Sequence, residues 1–71
     1  ALDRPQHVNV SIFDVAGRRV VVLEDREFAA GGHRLTWDGC DAAGRPLSSG
    51  VYLLRLRTDE GEESRKIILL R

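Results

Sequence analysis

The chain has 71 residues, 42% of them hydrophobic, and eleven basic residues balance eleven acidic ones for a net charge of zero. That balance excludes the long-range positive field of a nucleic-acid binder. The single cysteine, Cys40, allows no internal disulfide, although a chain this short buries only about 60% of its unfolded surface. No apolar run approaches the roughly 18 residues of a membrane-spanning helix. The whole of 1–71 reads as one domain. The start at Ala1 and the lack of methionine suggest a module cut from a longer protein.

No segment sustains helical periodicity, whereas period-two alternation recurs along the chain. His7 to Ile12 comes first, with Val8, Val10 and Ile12 on one face. Asp14-Val15-Ala16-Gly17-Arg18 then reads as a turn, with Asp accepting backbone amides and Gly taking the left-handed conformation. Arg18 to Leu23 contains the continuous apolar run Val20-Val21-Val22-Leu23, which suggests a strand covered on both sides. Ala29-Ala30-Gly31-Gly32 is a looser connection. His33 to Trp37 alternates again, with Leu35 and Trp37 inward. Asp41-Ala42-Ala43-Gly44-Arg45 repeats the first turn almost residue for residue, and both are hairpin signals of the type I turn plus bulge kind. Val51 to Thr58 directs Tyr52, Leu54 and Leu56 one way and Arg55 and Arg57 the other. Asp59-Glu60-Gly61-Glu62 marks a third hairpin, and Ser64 to Leu70 a final strand. About five short strands argue for a small all-β antiparallel sandwich.

The stretch with most apparent chemistry is Trp37-Asp38-Gly39-Cys40-Asp41-Ala42-Ala43-Gly44. A calcium loop needs about six to eight oxygens, and here two acids stand three apart with no third before Asp59. A phosphate cradle needs a Gly-rich loop opening a helix, usually with a Lys, and neither is present. Zinc needs three or four N or S ligands, and His7, His33 and Cys40 are scattered. A nucleophilic Cys40–His pair is formally possible, but a cysteine beside a turn in a chain of this size is more often a passenger. The residues Asp14, Gly17, Arg18, Trp37, Asp38, Gly39, Asp41, Gly44, Gly50 and Tyr52 are therefore read as architecture. No catalytic, metal or cofactor residue is expected, and neither is an enzyme or a small-molecule ligand. Trp37 and Tyr52 fit a core better than a sugar platform.

One feature resists a purely architectural reading. In Arg65-Lys66-Ile67-Ile68-Leu69-Leu70-Arg71 both faces of the strand are apolar, Ile67 and Leu69 on one and Ile68 and Leu70 on the other. A two-layer domain buries one face of each strand. The surplus pair must be covered by a loop, a preceding domain or a partner, or remain as an exposed apolar edge. Lys66, Ile67, Ile68, Leu69, Leu70 and Arg71 are accordingly the candidate partner-contact residues.

Taken in order, Val10-x-Ile12-x-Asp14-x-x-Gly17-Arg18-x-Val20, Gly32-His33-x-x-x-Trp37-Asp38-Gly39-x-Asp41-x-x-Gly44, Ser49-Gly50-Val51-Tyr52 and Lys66-Ile67 form a recognisable string. Over about residues 8–71 it resembles the immunoglobulin-like domain of the flagellar hook-capping protein. It also resembles the related type A C-terminal sorting domains of the bacterial type IX secretion system. The resemblance implies a small antiparallel immunoglobulin-like or fibronectin-III-like β-sandwich at the C-terminal end of a longer exported protein, located from the periplasm to the cell surface or outside the cell. The first expectation is a non-catalytic module for secretion, sorting or surface attachment, contacting the secretion machinery or an upstream domain of its own chain. A structural assembly role, as in the hook cap, is the alternative, and carbohydrate binding or adhesion the third. No nucleic acid and no membrane insertion are expected.

Overall fold

The computed structural model describes residues 2–71 and contains four strands. These are β1 (Gln6–Phe13), β2 (Arg19–Phe28), β3 (Gly50–Thr58) and β4 (Gly61–Leu69). They form one antiparallel sheet in the order β2-β1-β3-β4, an all-β architecture consistent with a small immunoglobulin-like domain. Where a sandwich places a second sheet, the irregular segment 29–49 crosses one face of this one. We call that face the covered face and its opposite the open face.

Alternation on the central strand decides which face is covered. Val8, Val10 and Ile12 are buried, the last two completely. Register carries the phase across the sheet: Val10 pairs with Leu56, Ile12 with Leu54, and Tyr52 with Ile67. Directly paired residues share a face, so these side chains all project toward segment 29–49. Val8, Val10 and Phe28 form the core cluster, with Leu2, Leu23, Leu54 and Leu56 packed against it. Fully burying one such side chain contributes about 1.5–3 kcal/mol, so a handful must offset much of the chain's ordering entropy.

The apolar run of β2 has a different cause from the one its composition suggests. β2 is an edge strand, and Val22 on it is exposed rather than doubly covered. Its pairing with β1 shifts between Val10 and Ser11 and again between Ile12 and Phe13. Each shift inserts an extra β2 residue and resets the alternation. Val21 thus pairs with Ile12 and Val22 with Ser11, while Leu23 still reaches the core. β2 also continues five residues past the expected end at Leu23, to Phe28.

Residues 33–37 are not a strand, contrary to their alternation. Both sides of β1 are already taken by β2 and β3, and this segment runs over the covered face instead of along an edge. Leu35 is exposed, and only Trp37 is half-buried. A loop that alternately touches and leaves a surface produces the same period as a strand. The closing strand begins at Gly61, earlier than the expected Ser64.

Candidate functional site

The two DxAGR segments build the same object twice. In the first, which joins β1 to β2, Asp14 Oδ1 accepts the amides of Ala16 and Arg18 at 3.0 and 2.9 Å. The Gly17 amide donates to the Asp14 carbonyl at 3.0 Å with Gly17 at φ +86°. In the second, Asp41 Oδ1 accepts the amides of Ala43 and Arg45 at 2.9 and 3.0 Å. Gly44 closes that turn at φ +82°. Arg18 and Arg45 pair with the remaining carboxylate oxygens at 3.2 and 3.3 Å. The amide of Arg18 or Arg45 holds each carboxyl below its ordinary value, with the other turn amide and the same arginine's charge adding to it. Stabilising a turn is what these carboxylates do. The second turn is flanked by the single bridge Cys40–Pro46 rather than by strands.

The segment around Trp37 is held in the same manner. Asp38 Oδ1 accepts the Cys40 amide at 3.0 Å, and the Trp37 indole donates to the Cys40 carbonyl at 3.0 Å. Trp37 stands edge-on to Tyr52, with ring centroids 5.4 Å apart and planes at 71°. The Tyr52 hydroxyl donates to the Ser48 carbonyl at 2.7 Å. Both polar handles are spent on backbone and the rings meet edge to face, so they pack as core and offer no flat double platform. Gly50, at φ +156°, opens β3. Asp38 and Asp41 each spend Oδ1 on local amides, and among the described residues no three of His, Cys, Asp and Glu converge. His7 lies at 2.6 Å from Asp25 Oδ1 on the exposed β1–β2 surface, and that contact, above all, lowers the Asp25 carboxyl. His33 sits on the crossing segment, edge-on to Phe28. A shallow cleft of about 340 Å³ lies between the first turn and segment 47–52. Its charged residues are Asp14 and Arg18, already paired with each other, and the hydroxyl of Tyr52, which also lines it, is spent on the Ser48 carbonyl.

The closing strand divides as its pattern demands. Ile67 and Leu69 are half-buried toward the covered face, whereas Ile68 is 60% and Leu70 83% exposed. Arg71 turns back: its amide meets Ser49 Oγ at 3.0 Å and its guanidinium donates to the carbonyls of Leu47 at 2.6 Å and Gly39 at 2.5 Å. Lys66 shares the open face, paired in register with Leu53.

The open face carries more than the sequence reading found. Val51 pairs with Ile68, and Leu53 with Phe13. Val51, Leu53 and Val22 are each about 40% exposed. The Arg55 guanidinium lies 4.2 Å from the centroid of Phe13. The result is an apolar field in which Arg55 caps Phe13 while, among the described residues, Val22, Val51, Leu53 and Ile68 stay exposed. Its signal in the sequence is Val51-Tyr52-Leu53-Leu54, where apolar residues occupy both phases of one strand, as in Ile67-Ile68-Leu69-Leu70.

Fold and surface together define a small antiparallel immunoglobulin-like module whose polar residues build turns and whose open face is apolar. The model of the FlgD immunoglobulin-like domain, of the flagellar hook-capping protein family, matches residues 1–62. The chain belongs to that family. The match supports the hook-capping part of the resemblance and not the sorting-domain part. No curated protein and no solved structure matches the chain.

Proposed function

We propose that the chain is a non-catalytic assembly module of a larger exported protein, and that a neighbouring protein surface covers its open sheet face. The observation that carries this is the field of Val22, Val51, Leu53 and Ile68, solvent-facing on a sheet of four strands, with Phe13 half-buried beside Leu53 and beneath Arg55. Contiguous exposed apolar surface marks contact sites on soluble proteins. Family membership agrees with it, since the hook-capping protein is itself part of a structural assembly. The test is Leu53→Asp in the parent protein, a substitution at an exposed position that leaves the core untouched. The variant should fold and be exported yet fail to join the assembly. Incorporation at the wild-type level would falsify the reading.

A second reading, recognition of the C-terminus by an export machinery, is favoured by one specific observation. Leu70, just beyond β4, is more exposed than any other large apolar side chain in the core-facing or open-face sets, and it follows the basic Lys66. Removing residues 65–71 would be an unsound test, because it deletes half of β4 and the Arg71 contacts to Leu47 and Gly39. Leu70→Asp separates the readings. Retention of that variant inside the cell supports sorting, and normal export with normal assembly leaves the assembly role alone.

A further inference from the structure

The two edges of the sheet are unequal. β2 carries two bulges, and the Ala42 amide donates to the Val20 carbonyl at 3.2 Å, so that edge is twisted and partly occupied. β4 has neither device. Its nine residues pair with β3 in unbroken register, and among the described residues no backbone hydrogen bond reaches it from the other side. A flat, unpaired edge is a template for another strand.

Edge strands are commonly protected by charge, and β4 reads Glu62-Glu63-Ser64-Arg65-Lys66. The order of those charges matters more than their number. Acids precede bases, so an antiparallel copy meets opposite charges while a parallel copy meets like ones. In a two-fold antiparallel pair, directly opposed residues must share a face, and the pair therefore centres on a single residue. Centring on Arg65 opposes two guanidiniums, and centring on Glu63 opposes two carboxylates. Centring on Ser64 opposes Glu63 to the second copy's Arg65 and Glu62 to its Lys66, each pair occurring twice. Among the described residues Lys66 makes no ion pair, and this arrangement brings it Glu62, which within its own chain pairs with Arg57 at 3.0 Å. Glu63 and Arg65, paired with each other at 3.3 Å in one chain, exchange partners across the two.

We propose that β4 is a self-association edge: two copies of the chain pair antiparallel through β4 about Ser64, over Gly61 to Ile67, and extend the sheet to eight strands. Both open faces then lie on one side of a continuous sheet. The inference rests on the assembly reading and adds to it the identity of one partner, a second copy.

The test uses the whole chain in sedimentation velocity from micromolar to millimolar concentration. Wild type should show reversible, salt-sensitive dimerisation. Glu63→Arg and Arg65→Glu each oppose like charges twice, at exposed positions, and should weaken association about tenfold. The double variant E63R/R65E restores opposite pairs and should recover it. Ser64→Cys in a Cys40→Ser background should cross-link under mild oxidation, because opposed residues in an antiparallel pair have Cα atoms about 4.5–5.5 Å apart. A strictly monomeric wild type overturns the proposal, as does association indifferent to Arg65→Glu. Association lost in Leu53→Asp but unchanged in Arg65→Glu overturns the edge pairing while leaving the open-face reading intact. A charge-dependent dimer whose parent assembles normally as Leu53→Asp does the reverse.

Discussion

The Arg71 guanidinium reaches back 32 residues to donate to the Gly39 carbonyl at 2.5 Å. Through this contact and the one to Leu47, the end of the chain fixes the crossing segment over the covered face. Gly39 is the residue that admits it, since a Cβ there would stand 2.6 Å from Arg71 Nη2. Its φ of +79° is also a conformation that L side chains rarely adopt.

Gly39→Ala should therefore destabilise the domain by about 1–3 kcal/mol, from backbone strain together with displacement of Arg71. Urea denaturation of wild type and variant measures it. An unchanged midpoint would show that the segment docks without the arginine.

Gln6 offers the opposite sign. It is almost fully buried, its Oε1 has no partner, and its Nε2 makes only a long 3.4 Å contact to the Arg4 carbonyl. An orphaned buried acceptor costs about 1–3 kcal/mol. Gln6→Leu, similar in volume and beside Val8 and Phe28, should raise the melting temperature by several degrees. A lower melting temperature would mean that the amide is satisfied in solution.

Acid should weaken the fold in a defined window. Asp14, Asp41 and Asp25 have folded-state values below the ordinary 3.8, so the unfolded chain takes up these protons first. Their contribution is complete well above pH 3.8 and is lost as pH falls through the depressed folded values. Asp14→Asn combined with Asp41→Asn keeps the Oδ1 acceptors and removes the titration. Its melting temperature should fall less than wild type between pH 5 and pH 2, as circular dichroism followed across that range would register.

The parts of the fold that local chemistry dictates were readable from the sequence. Asp and Gly at fixed offsets give the turns at Asp14 and Asp41, and strict alternation gives the buried face of β1. The doubled apolar phases of Ile67 to Leu70 showed that one pair was surplus without saying which, and in the structure Ile68 and Leu70 are the exposed ones. What escaped the sequence depends on pairing partners. The alternation of His33 to Trp37 describes a loop touching a sheet, and the run Val20 to Leu23 records bulges set by β1. The open face was half missed for the same reason. Val51 and Leu53 become part of a patch only once register brings them beside Ile68 and Phe13.

Thiol labelling of Leu53→Cys in a Cys40→Ser background tests the covering of the open face most directly. A maleimide should react rapidly with the free chain and be blocked once the parent protein has joined its assembly. Equal rates in both states would contradict the account.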